Sequence, residues 1–154
     1  MSKINQIKFR KVLSKFATGV AVVSVNFKEK KIGKTINSFT SLSLKPPLIL
    51  FALDKNASSL NEFKKSNYLS INILSKKQKN ISDNFAKKNA KWKNIEYDLS
   101  NFETPYIKNC IANLECKKIK ILKQGDHIMF ICKIISADFK DNIQPLLYFN
   151  SKYI

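Results

Sequence analysis

The sequence predicts a mainly β fold, closed or partly closed into a barrel, with a few short helices. Two long apolar runs, CIANLECKKIKIL from Cys110 and HIMFICKIISADF from His127, flank Gln124-Gly125-Asp126, which has the turn chemistry of a long hairpin. Shorter runs, GVAVVSVNF, LILFAL, YLSINIL and PLLYFN, are β-branched or alternate in polarity, which brings the strand count to about six. Neither repeats nor a linker interrupt the chain, so residues 1–154 read as one domain.

Taken in order, Ile4, Ile7, Val12, Leu13 and Phe16 recur at helical spacing and predict an amphipathic helix over 4–17 that ends near Thr18-Gly19, with Gly19 as the terminating residue. GVAVVSVNF, the turn KEKK and IGKTINSF predict a hairpin. LILFAL carries no polar residue and reads as a strand buried on both faces. In DKNASSLNEFKKS, Asn56, Ser58 or Ser59 is positioned to cap a short helix that buries Leu60 and Phe63. YLSINIL reads as the next strand. SKKQKNISDNFAKK reads as a helix with Ile81 and Phe85 inward, followed by an irregular segment around Trp92 and Pro105.

The formal charge of +17 suggests a phosphate-bearing partner, but Arg10 is the only arginine and the lysines are scattered. A solvated lysine surface that steers small anions follows, with no nucleic acid as partner. No apolar run approaches the roughly 20 residues of a membrane helix, and MSKINQIKFRKVL lacks a signal-peptide core, so the expected location is cytoplasmic, without a membrane partner. Cys110, Cys116 and Cys132 have no metal-ligand spacing, so no metal is expected and buried reduced thiols are. A turn at Gln124-Gly125 sets Cys116 and Cys132 nearly opposite each other, which leaves an oxidised pair open.

The stretch TINSFTSLSLKPPLILFAL, residues 35–53, joins a hydroxyl-rich half to an apolar half across Pro46-Pro47. Thr35, Asn37, Ser38, Thr40, Ser41 and Ser43 place hydrogen-bonding groups at close intervals, suited to a ligand rich in donors and acceptors. No GxGxxG or P-loop is present.

Several segments in this order, FRKVLSKFATGVAVV, INSFTSLSLKPPLILFALDKNASSL, YLSINIL, GDHIMFICKI and PLLYFNSKY, make the chain resemble the flavin reductase family with the FMN-binding split-barrel fold. The resemblance implies an NAD(P)H:flavin oxidoreductase with FMN as cofactor (FAD possible), NADH or NADPH as hydride donor, a homodimer, and in some cases a separate monooxygenase component that receives the reduced flavin. It places Thr35, Ile36, Asn37, Ser38, Phe39, Ser41 and Leu42 along the isoalloxazine and ribityl chain. Lys55, Asn56, Ala57 and Ser58 fall at the phosphate, Phe85 and Ala86 on a second flavin-contacting segment, and His127 and Tyr153 near the nicotinamide. The only catalytic position it implies is His127, whose other reading is a simple turn cap. Lys34 and Ile36 stand where the family commonly has an apolar and a small residue, so Ile36 is expected to crowd the ring unless its side chain turns away. Lys55 stands where arginine is common. The end of the sequence at Ile154 mildly favours FMN over FAD.

Two other readings remain at this point. One is a flavin-binding electron-transfer protein without a nicotinamide site. The other is a basic β-barrel that stacks single-stranded nucleic acid on aromatic residues, although Phe51, Phe130 and Tyr148 lie in apolar runs that predict burial.

Overall fold

The computed structural model describes residues 4–154. Strands β1 (Thr18–Gly19), β2 (Ala21–Phe27), β3 (Lys30–Ile36), β4 (Thr40–Ser43), β5 (Leu48–Asp54), β6 (Tyr68–Ile73), β7 (Tyr97–Leu99), β8 (Pro105–Ile107), β9 (Ala112–Gln124), β10 (His127–Phe139), β11 (Leu147–Phe149) and β12 (Lys152–Tyr153) alternate with helices α1 (Gln6–Leu13), α2 (Leu60–Lys65) and α3 (Lys79–Ala86), α3 being preceded by a 3₁₀ turn. Seven strands form the main sheet in the order β3-β2-β6-β9-β10-β5-β4. Its inner face wraps a single core. Ile32 and Ile36 from one end of the sheet share it with Ile49, Phe51 and Leu53 from near the other, and the Phe51 and Phe130 rings stack at 4.9 Å. Leu60 and Phe63 of α2 join this core, as expected.

Local chemistry sets the connections. Lys28 and Glu29, both at positive φ, make the two-residue turn between β2 and β3. Gly125, φ +59, opens the Gly125-Asp126 turn that pairs Gln124 with His127 and fixes the long β9–β10 hairpin. On the outer face of the sheet, Asn72 uses both ends of its amide. Its Nδ2 donates to the Val22 carbonyl and Ser24 Oγ, and its Oδ1 accepts from Ile107 N–H and Asn113 Nδ2, which fastens β8 to the sheet.

A second cluster, Val20, Val22, Leu74, Phe85, Ile107, Cys110 and Leu146, lies beneath α3 and the segment after it, with Ile81 and Trp92 packed alongside. Strand β2 serves both clusters, sending Ala21, Val23 and Val25 into the barrel and Val22 outward.

Four expectations change. Helix α1 stops at Leu13 with Ser14 as its cap, where the Ser14 carbonyl accepts from Asn150 N–H, and Gly19 instead pairs with Leu147 in a short sheet. No residue of α1 is buried. LILFAL is not buried on both faces: Ile49, Phe51 and Leu53 point into the core while Leu48, Leu50 and Ala52 are half-buried, since only the inner face of this near-edge strand is covered. Ser59 occupies the N-cap of α2 at φ 65 without a side-chain cap bond, and Asp54 Oδ1 accepts instead from Asn56 N–H at 2.7 Å. The segment read as irregular holds the β7–β8 hairpin.

All three cysteines are buried and free. Cys132 lies opposite Lys118 and Cys116 opposite Ile134, so the two thiols are two residues out of register across the hairpin rather than directly opposed. No helix among the described residues is long and apolar enough to cross a membrane.

Candidate functional site

The C-terminal end of β5 brings together three of the predicted segments, those holding Ser38, Lys55–Ser58 and His127. On one side, Ser38 Oγ donates to the Ala52 carbonyl at 2.9 Å and accepts from Ala52 N–H at 3.0 Å, so the β3–β4 connection is stitched to β5. On the other side His127 pairs with Asp54, and Lys55 N–H bonds the Asp126 carbonyl at 2.9 Å. Between these flanks the chain leaves β5 as the Asp54–Ser58 turn, closed by Ala57 N–H to the Asp54 carbonyl at 2.9 Å.

Along the rim, Asn37, Thr40, Ser41 and Leu42 are exposed, Leu42 to 47%. This strip offers hydroxyl, amide and one apolar side chain to a planar ligand, and the Pro46-Pro47 pair lies in the turn that returns it to β5. Ile36 is 5% exposed and belongs to the barrel core, so its side chain turns away from the rim. Phe39 packs against the same core.

Thr35 does not aim its hydroxyl outward: Oγ1 donates to the Ser82 carbonyl at 2.6 Å. Ser82 Oγ in turn shares a hydrogen bond of 2.9 Å with Tyr153 OH, and Tyr153 packs edge-on against Tyr148. Thus buried Ser82 ties α3 to both the rim strand and the chain's last strand. The sequence reading passed over it, although it lies three residues before Phe85 on the inward face of α3.

Phe85 is fully buried, its ring beneath Gly33 and 4.8 Å from Trp92, whereas Ala86 is exposed. With the whole residue buried, Phe85 offers a ligand no accessible surface. Lys34 Nζ donates to the Ala86 and Lys87 carbonyls at 3.4 and 3.5 Å, capping the end of α3. Burial, and then the charge of Lys88, hold its pKa below the ordinary ammonium value.

His127 is half exposed, with Nδ1 2.7 Å from Asp126 Oδ1. A carboxylate accepts, so Nδ1 carries the proton and Nε2 is the nitrogen left for a ligand. The hydrogen bond from His127, and then its charge, keep Asp126 below the usual carboxylate range.

The flavin reductase like domain matches residues 13–154. The chain belongs to that family. It is thereby an oxidoreductase of the flavin reductase class, on a split-barrel fold. The reductase is 31% identical over 144 residues to the NADH-using FMN reductase SmoA of Agrobacterium fabrum, covering 94% of this chain and 82% of that one. It is 30% identical over 155 residues to HsaB, the reductase subunit of a flavin-dependent monooxygenase of Mycobacterium tuberculosis, covering 99% and 83%. The solved structure of the Streptomyces globisporus NADH:FAD oxidoreductase SgcE6, in complex with NAD and FAD fragments, superposes with a TM-score of 0.93 at 26% identity, over 100% of this chain and 96% of that one.

Proposed function

We propose that this reductase binds a phosphorylated flavin along Thr35–Leu42, with its phosphate at Lys55–Ser58, and that a reduced nicotinamide nucleotide docks beside His127 and Tyr153. The observation that carries the reading is the end of β5, flanked by Ser38 on one side and His127 on the other, with the Asp54–Ser58 turn between them. A bound flavin supplies the hydride-accepting ring. The chain's own residues bind, orient and shield.

The residues present suit such a ligand. Asn37, Thr40 and Ser41 offer exposed polar groups to a ring edge and polyol, Leu42 offers an apolar face, and Lys55 gives a point countercharge. Ser82 holds the rim strand and Tyr153 at fixed spacing, so it orients without touching the ligand. His127, with Nδ1 held by Asp126, has Nε2 left to donate to or accept from the carboxamide or phosphate of a nucleotide.

A second copy of the chain is proposed to cover α1, whose Ile7, Phe9, Val12 and Leu13 are each more than half exposed, with Phe16 just beyond at 77%. The reduced flavin is proposed to pass to a separate monooxygenase component, as the HsaB relative's name describes for that protein.

The test is oxidation of NADH or NADPH by the purified chain with FMN, FAD or riboflavin. Nucleotide-dependent loss of absorbance with at least one flavin is the expected result. No oxidation of either nucleotide with any of the three overturns the reading. Flavin binding without nucleotide oxidation establishes the electron-transfer alternative instead.

A further inference from the structure

Lys79, the first residue of α3, sets its ammonium 5.4 Å from the centre of the Tyr153 ring. The same Nζ donates to Asp83 Oδ2 at 3.1 Å, one turn further along the helix. Lys79 is thus held between a carboxylate and an aromatic face, beside the ring where the nicotinamide is proposed to dock. Among the described residues no other lysine lies over this ring: Lys28 covers Phe27 and Lys31 covers Tyr97.

Neither hold on the ammonium is strong. The side chains of Lys79 and Asp83 are 60% and 44% exposed, and an ion pair one helical turn apart at such exposure is screened by water and salt. A lysine over a half-buried tyrosine adds little more. The ring itself is fixed. Its hydroxyl shares a hydrogen bond of 2.9 Å with fully buried Ser82, and Tyr148 packs against it edge-on at 5.4 Å. An easily released charge over a fixed ring is suited to a ligand that brings an anion to that ring.

We infer that Lys79 binds the diphosphate of the reduced nicotinamide nucleotide, its ammonium leaving Asp83 to do so, and that Asp83 competes with the ligand for it. The inference rests on the nicotinamide reading of Tyr153 above and adds α3 to that side of the site. A diphosphate carries more charge and more acceptor oxygens than one carboxylate, so the exchange of partner is favourable. NADH and NADPH both carry the diphosphate, one ribose away from the nicotinamide. The 2′-phosphate that distinguishes NADPH lies at the far, adenosine end. Proximity to Tyr153 therefore assigns Lys79 to the diphosphate, and Lys79 does not choose between the two nucleotides.

Opposite effects of the two partners follow. Removing the ammonium weakens nucleotide binding, whereas removing the Asp83 charge frees Lys79 and also relieves repulsion of the phosphates. A pair that only staples the first turn of α3 would respond alike to loss of either member.

The experiment measures KM and kcat for NADH, NADPH and reduced nicotinamide riboside, which has no phosphate, at a saturating concentration of a flavin that the chain reduces. The proteins are the full chain, Lys79→Gln, Lys79→Arg and Asp83→Asn, each checked for unaltered melting and flavin affinity. The expected result for Lys79→Gln is a KM raised about fivefold for NADH and NADPH alike, with kcat within about twofold, and Lys79→Arg restores most of the loss. Asp83→Asn lowers both KM values about twofold. For the riboside every variant stays within about twofold of the unaltered chain. An unchanged NADH KM in Lys79→Gln overturns the inference, as do parallel losses in Lys79→Gln and Asp83→Asn or an equal loss with the riboside. A change confined to NADPH overturns it in favour of the 2′-phosphate. Failure of the unaltered chain to oxidise any of the three substrates overturns the nicotinamide reading on which it rests.

Discussion

Gly33 and Phe85 are packed so closely that a methyl group on Gly33 would lie 2.6 Å from Cε1 of the Phe85 ring. The ring is fully buried between β3 and Trp92. Gly33→Ala is therefore expected to destabilise the fold by about 1–3 kcal/mol, read as a lower urea midpoint at unchanged slope. In a double-mutant cycle, Phe85→Leu is expected to recover part of that loss. Additive losses would show that the two positions do not collide.

Asn72 makes four hydrogen bonds in a fully buried position. Asn72→Leu keeps the bulk but strands the Ile107 N–H and removes one partner each from Val22, Ser24 and Asn113, with an expected loss of about 2–4 kcal/mol in chemical denaturation. A change under about 0.5 kcal/mol would mean that water replaces the amide.

The thiols set an alkaline limit. Burial pushes Cys110 and Cys132 from an ordinary 9.0 up to about 12 and raises Cys116 as well. A raised folded-state value means that the unfolded chain loses its thiol protons first. Stability from these groups is complete below pH 9 and declines as pH rises from 9 toward 12. Native protein at pH 8 is expected to resist thiol reagents, and unfolded protein to react at three sites.

His127→Asn tests the nicotinamide position. The side chain is half exposed and contributes little to packing, so the expected result is an NADH KM raised about tenfold, with flavin affinity unchanged within about twofold and unaltered melting. An unchanged KM at full turnover assigns His127 to the turn alone.

The exposed face of α1 carries the dimer proposal. Val12→Glu/Phe16→Glu is expected to shift the chain from dimer to monomer in sedimentation, because two charges replace apolar groups that are 59% and 77% exposed in the single chain. An unaltered chain that sediments as a monomer refutes the proposal.

Much of the fold was legible because strand period and turn chemistry are local. The β9–β10 hairpin follows from two apolar runs around Gly125, and Leu60 and Phe63 declared the buried side of α2 by spacing alone. Register was less legible: the two-residue Gly125-Asp126 turn puts Cys116 and Cys132 out of register, and the bulge that shifts the pairing at Cys132 leaves no mark in the sequence. Burial of LILFAL was overstated because an apolar run does not reveal how many of its faces a neighbour covers.

The candidate site was legible as segments but not as side-chain directions. Ile36, Thr35 and Phe85 fall where the resemblance put them in the chain, yet Ile36 and Phe85 point into the two cores and Thr35 bonds Ser82. Gly33 carried a readable signal, since a glycine inside a strand marks close approach of another group.

Strand β2 lends Val23 and Val25 to the barrel and Val22 to the layer under α3. Neither layer can open without exposing apolar surface of the other, so the two melt in one transition. In native-state hydrogen exchange, the amides of residues 22–25 are expected to exchange only through global unfolding, while those of the solvent-facing α1 exchange by local fraying within the first minutes.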